Sequence, residues 1–240
     1  MTEKIYLFCF PFGGAGVSMY NGWNELFDDN VEIVPMPLPG RERLIDHEPY
    51  RNLHTAAKDF AEYINENYSD KKMAFFGHCF LGSVMAYEVI RILEKKNGLE
   101  IIGLFVSAGF TPDSKRDYCL DLTNEDEFIN GVEKLTGYKN DALEIPELRE
   151  LLLPALIADF EMDINYCNKD TTLIKSPIVA IYAENDTFVP KEEVAKWANY
   201  TQNEFSLHKV QGVHLYIVEN KEEAIDIIKD RLTNWEQKTR

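Results

Sequence analysis

Three side chains in this sequence are of the types that together transfer an acyl group: the thiol of Cys79, the carboxylate of Asp186 and the imidazole of His214. A thiolate attacks a carbonyl carbon, an imidazole takes and returns the proton, and a carboxylate holds that ring in the working tautomer. Cys79 lies in Lys72-Met-Ala-Phe-Phe-Gly77-His78-Cys79-Phe80-Leu81-Gly82-Ser83, an apolar strand-like run that passes into helical apolar spacing. A strand that turns sharply into a helix lifts the side chain at its tip clear of the backbone. The helix then points its free N–H groups and positive dipole end at any negative charge that develops there.

The spacing around the tip is irregular. Strand and helix nearly touch at such a turn, which asks for small residues two before and two after the nucleophile. Gly77 meets that need, but Leu81 does not, and the glycine arrives at Gly82. Two alignments follow: Cys79 at the tip with one residue inserted behind it, or Gly82 in the usual glycine place with Phe80 at the tip. The first is favoured, since a thiol is reactive and a phenyl ring is not. Ser83 is a weaker candidate because it falls inside the helix. A buried structural cysteine beside an ordinary strand–helix turn also fits the run.

The elements that must position these groups are readable along the chain. Near-continuous apolar runs at 4–10, 31–36, 72–77, 101–107 and 177–182 have the character of strands buried on both faces of a parallel sheet. Strand 205–210 completes the set, and helical patterns at 54–69, 79–95 and 191–202 separate strands in βαβ fashion. Between Thr111 and Thr172 the strand rhythm stops, and two helical patterns, 124–136 and 147–166, replace it. The chain is therefore expected to be one α/β domain over 1–240, of α/β-hydrolase type, with a helical insertion at 111–172. Such an insertion is either a lid over the site or a structural excursion. Asp186 follows the 177–182 strand and His214 the last one, so the order nucleophile, acid, base is that of this fold. Glu184 is the second choice of acid, and Asn185-Asp186 also suits a simple turn. Pro11-Phe12-Gly13-Gly14-Ala15-Gly16 follows the first strand. The N–H groups of Phe12 and Phe80 are assigned as oxyanion-hole donors.

Composition narrows the partners. A net charge of −16 argues against nucleic acid or an anionic membrane surface. Lys71, Lys72, Arg41, Arg43, Lys115 and Arg116 read as solvated surface. No apolar run would span a bilayer, and the N-terminus does not read as a signal peptide. Four cysteines without repeated spacing suggest reduced thiols in a cytoplasm. Cys9 reads as packed on a core strand, and Cys119 and Cys167 as peripheral. No His/Cys/Asp/Glu cluster has metal-ligand spacing, and no bound cofactor is expected.

The chain resembles the type II thioesterases of nonribosomal-peptide and polyketide assembly lines over nearly its whole length. The resemblance rests on Cys9-Phe-Pro-Phe-Gly-Gly14, Pro37-Leu-Pro-Gly-Arg41-Glu42, Phe76-Gly-His78, Leu153-Pro-Ala-Leu-Ile-Ala-Asp-Phe-Glu161, Asp186 and Gly212-Val-His214. It implies a stand-alone enzyme, taken as a monomer, that removes acyl groups from the 4′-phosphopantetheine arm of acyl or peptidyl carrier proteins. The family's serine falls on Cys79, its aspartate on Asp186 and its histidine on His214. Cysteine for serine and the late glycine are departures, and both fall on the elbow. An acyl group held on a thiol stays activated, so transfer to an amine or cyclisation stands beside hydrolysis. Phe160, Met162 and Tyr166 in the insertion suggest an apolar acyl pocket. A dienelactone-hydrolase-like cysteine hydrolase and a non-catalytic acyl or carrier-protein binding module are the alternative readings.

Overall fold

The five apolar runs and the 205–210 segment form a single parallel sheet in the computed structural model, which describes residues 3–115, 120–168, 170 and 172–238. The strands are β1 (Ile5–Phe10), β2 (Val31–Pro35), β3 (Lys72–His78), β4 (Glu100–Ser107), β5 (Ile178–Ala183) and β6 (Phe205–Val210). The helices are α1 (Leu53–Tyr68), α2 (Cys79–Leu93), α3 (Glu125–Thr136), α4 (Pro146–Ile164), α5 (Lys191–Ala195), α6 (Tyr216–Glu219) and α7 (Glu222–Lys238). Strand order is β2-β1-β3-β4-β5-β6. The chain goes outward from β1 to β2, then returns past β1 to build in the other direction. The crevice at the carboxyl ends of β1 and β3 is thus a topological switch point, where open α/β sheets bind ligands.

Alternation along the strands divides the core between the two sheet faces. Phe8, Phe10, Phe75, Leu104 and Val106 pack towards α1 and α2. Leu7, Cys9, Ala74, Phe76 and Phe105 point the other way, against Trp23, Phe27 and the α7 residues Ile225, Ile228, Leu232 and Trp235. Helix α1 buries Leu53, Ala56, Ala57, Phe60, Ala61 and Ile64, a stripe at helical spacing. Asn52 caps it by accepting from the Thr55 N–H at 3.0 Å. The pattern expected over 191–202 resolves into α5 and a 3-10 turn over Lys196–Tyr200, which buries Trp197 and Tyr200 together. Helix α7, whose Ile225, Ile228, Leu232 and Trp235 recur at helical spacing, closes the second face. Trp235 lies over Phe105 at a ring distance of 4.8 Å, and a side chain at Gly103 would collide with it.

Between β4 and β5 the insertion carries α3, a 3-10 turn over Asp141–Glu144, and α4. It has a small core of its own, Phe128, Leu143, Leu153 and Leu156, with Phe128 and Phe160 packed edge to face. Asn124 caps α3 through the Glu127 N–H, and Pro146 starts α4 where a missing N–H costs nothing. Cys119 and Arg116 lie outside the described residues. Among the described residues, no helix is long and apolar enough to cross a membrane.

Candidate active site

Cys79 takes φ +61, a left-handed conformation unusual for a side chain with a Cβ, at the junction of β3 and α2. Such local strain is what holds a nucleophile at a sharp elbow. Phe80 is instead buried behind it, in edge contact with Tyr166, so the thiol and not the phenyl ring occupies the tip. No extra residue interrupts α2. The close approach of strand and helix is made by Gly77 and Gly82, where a Cβ on Gly77 would run into the Gly82 carbonyl. Gly82 is itself pressed against the end of β1: a Cβ there would lie 2.7 Å from the Phe10 carbonyl oxygen. The small residue needed by the elbow is therefore three beyond the tip, and Leu81 turns towards the cavity. Ser83 donates to the Gly77 carbonyl at 3.0 Å from inside the helix and is spent on structure.

His214 Nε2 lies 3.3 Å from Cys79 Sγ, and its Nδ1 lies 2.8 Å from Asp186 Oδ2. The other Asp186 oxygen accepts the N–H groups of Phe188 and Val189, each at 2.9 Å. The carboxylate is thus fixed from two sides, and Nδ1 is the ring nitrogen that carries hydrogen towards it. His214 is 2% exposed. Burial alone would push its pKa down, but the facing Cys79 and Asp186 hold it up, to about 10. Glu184 is spent on the surface instead, accepting from Lys209 at 2.8 Å.

A second buried histidine stands beside the first, with the His78 and His214 rings 5.6 Å apart. His78 Nδ1 meets Ser107 Oγ at 2.8 Å, and Ser107 in turn meets the Tyr216 hydroxyl. Burial and the charge of His214 push the His78 pKa well down, so it stays neutral. Phe188 closes the opposite side of His214 at a ring distance of 5.0 Å.

The thiol opens into a cavity of about 230 Å³ between the sheet and the insertion. Phe12, Phe80, Leu81, Leu156, Phe160 and Phe188 line it around Cys79 and His214. Of the three insertion side chains expected to meet substrate, Phe160 reaches this cavity, and Met162 and Tyr166 do not. Met162 is two residues along α4, about 200° round the helix, and packs into the core. Tyr166 lies beyond the end of α4, where it packs on Phe80 and donates to Glu88 at 2.7 Å. Among the described residues, no group of three or more His, Cys, Asp or Glu could hold a metal ion.

Two residues read from the sequence as solvated cations are buried. Lys72 pairs with Glu3 and Glu100. Arg41 makes a bidentate pair with Asp159 of α4, both bonds at 2.7 Å. The adjacent Glu42 accepts the Val17 and Ser18 N–H groups, each at 3.0 Å. The Pro37–Glu42 segment therefore clamps the loop that follows β1.

A parallel α/β sheet with a thiol, an imidazole and a carboxylate aligned at its strand ends defines a protein of the α/β-hydrolase type. The thioesterase domain family matches residues 6–232, and the chain belongs to that family. It is 31% identical over 234 residues to the gramicidin S biosynthesis protein GrsT of Aneurinibacillus migulanus, covering 96% of this chain and 90% of that protein. Thioesterase PikA5 of Streptomyces venezuelae is 28% identical over 231 residues, covering 96% of this chain and 82% of PikA5. Among solved structures, RedJ, a thioesterase from the prodiginine biosynthetic pathway in Streptomyces coelicolor, superposes with a TM-score of 0.87. It is 27% identical and the match covers 95% of this chain and 91% of RedJ. This chain is accordingly an enzyme, a thioesterase.

Proposed function

We propose that the chain removes acyl or peptidyl groups from the phosphopantetheine arm of carrier proteins in a nonribosomal-peptide or polyketide pathway, with Cys79 as nucleophile. The observation that carries this reading is the alignment Cys79 Sγ, His214 Nε2, His214 Nδ1, Asp186 Oδ2 at the floor of a covered apolar cavity. The named roles of GrsT in gramicidin S biosynthesis and RedJ in the prodiginine pathway support the class of substrate.

In the acylation step the Cys79 thiolate attacks the thioester carbonyl carbon, and the carbonyl oxygen becomes an oxyanion. The N–H groups of Phe12 and Phe80 are assigned to that oxyanion. Collapse breaks the bond to the pantetheine sulfur, which leaves with the proton of His214 Nε2, and the acyl group stays on Cys79 as a second thioester. Water deprotonated by His214 then releases the acid, or an amine takes the acyl group. Thioester exchange between two sulfurs is close to balanced, so the acyl-enzyme keeps its activation. The insertion acts as the lid that keeps bulk water out while the acyl group passes to Cys79.

The test is intact-protein mass spectrometry after mixing with acyl-loaded carrier protein, for the native chain and Cys79→Ala. A transient acyl mass on the native chain that is absent from the variant supports the reading. Turnover that persists in Cys79→Ala would remove the thiol from the mechanism. Adding an amine after acylation separates transfer from hydrolysis.

A further inference from the structure

The Arg41–Asp159 pair joins three separate segments at one point. Arg41 comes from the loop after β2 and Asp159 from α4, and they are 5% and 1% exposed. Arg41 Nη1 also donates to the Ala15 carbonyl at 3.0 Å, and the Gly14 N–H donates to Asp159 Oδ2 at 2.7 Å. Gly14 and Ala15 belong to the loop after β1, where the Ala15 N–H donates to the Phe12 carbonyl at 3.0 Å. Three hydrogen bonds thus fix the backbone within one turn of Phe12. The fit is close from above as well. Gly14 has φ +82, and a Cβ there would lie 2.7 Å from Leu156 Cδ1 of α4.

A buried ion pair is a poor source of stability compared with apolar packing. What a guanidinium fork on a carboxylate supplies is orientation, since two parallel bonds allow one relative placement. That placement links the helix over the cavity to the loop under it. We propose that Asp159 and Arg41 are positioning residues for the oxyanion site: they transmit the seated position of α4 to residues 12–15, so that the Phe12 N–H is aimed at the developing oxyanion only while the insertion covers the cavity. The inference rests on the assignment of Phe12 as an oxyanion donor. It makes lid closure and completion of the catalytic site one event, and leaves a lifted lid with a nucleophile but no oxyanion site.

Two reactions of the same thiol separate this role from general support. Hydrolysis of a small acyl-N-acetylcysteamine thioester forms an oxyanion, whereas alkylation of Cys79 by iodoacetamide forms none. For Asp159→Asn, kcat is expected to fall roughly 10²–10³-fold, the effect of losing an oxyanion donor, with KM and the alkylation rate near native. Arg41→Lys keeps the cation but loses the fork, and is expected to lose an intermediate part of kcat in the same pattern. If Asp159→Asn does not fold, Arg41→Lys decides alone. A parallel fall in both reactions, or native kcat in a folded variant, overturns the proposal. A native protein that alkylates at Cys79 yet turns over no thioester overturns the functional reading itself, and this inference with it.

Discussion

Two buried carboxylates, Asp159 in the cavity wall and Asp186 behind His214, face cations, and they do opposite things. Asp186 spends one oxygen on two backbone N–H groups and the other on His214, whose far nitrogen meets a thiol. Asp159 spends both oxygens on Arg41 and one of them also on Gly14. The first carboxylate holds a ring that can give up a proton. The second holds a guanidinium, which does not titrate in a protein. The charges are alike, and the difference lies in what stands beyond the cation: a reactive sulfur in one case, a loop backbone in the other.

The largest effect should come from breaking the first pair in its tautomer while leaving its shape. Asp186→Asn is expected to lower kcat about 10⁴-fold in steady-state thioester hydrolysis, because the amide can present a donor to Nδ1 and favour the wrong tautomer. A variant within tenfold of native would show that the imidazole does not depend on this carboxylate. The second pair should respond in stability. Arg41→Met leaves Asp159 buried without its cation and is expected to cost about 3–5 kcal/mol in urea unfolding. Arg41→Met combined with Asp159→Leu should recover most of that loss while the thioesterase rate stays low, since packing is restored and the loop contact is not.

A smaller effect is expected at the elbow itself. Gly77→Ala drives a methyl group into the Gly82 backbone, and overpacking of this kind typically costs about 1–3 kcal/mol. Cys79 alkylation should slow in the same variant as the tip is displaced, and unaltered unfolding and alkylation would show that the two backbones can separate freely.

A further effect concerns pH. The folded His214 pKa, near 10, lies above the 6.5 of an unperturbed histidine. Its contribution to stability is therefore complete below about 6.5 and is lost as pH rises through about 10. Thermal melting of the native chain should fall across that range more steeply than melting of Cys79→Ser, in which the facing sulfur is gone. Identical slopes in the two chains would show that the thiol does not hold the imidazolium.

Much of the scaffold was legible because a parallel sheet buries both strand faces. Its inner strands then appear as apolar runs, while the edge strand Phe205–Val210, with the expected bounds, alternates and is only partly buried. That Cys79, Asp186 and His214 come together was legible because each sits just past a strand, where sequence position and spatial position agree. Arg41 was not, since its partner Asp159 is 118 residues away and no local pattern distinguishes a paired arginine from a solvated one. Leu81 looked like evidence for an insertion because the motif specifies a sequence position, whereas the structure needs only that two backbones meet. Met162 and Tyr166 were drawn to the cavity by their apolar character, which a core position satisfies equally. Helix α7 carries no chemistry-bearing motif, and its burial depends on a sheet face that only tertiary structure supplies.

That last helix affects the order of events during synthesis. β4 lies next to β3, which leads into Cys79, and its outer face at Gly103 and Phe105 is covered by Trp235. A ribosome extends the chain from its N-terminus, so the elbow at Cys79 leaves the exit tunnel well before the cover of the sheet does. Until Trp235 emerges, the nascent sheet carries an uncovered apolar face, a surface for chaperones to hold.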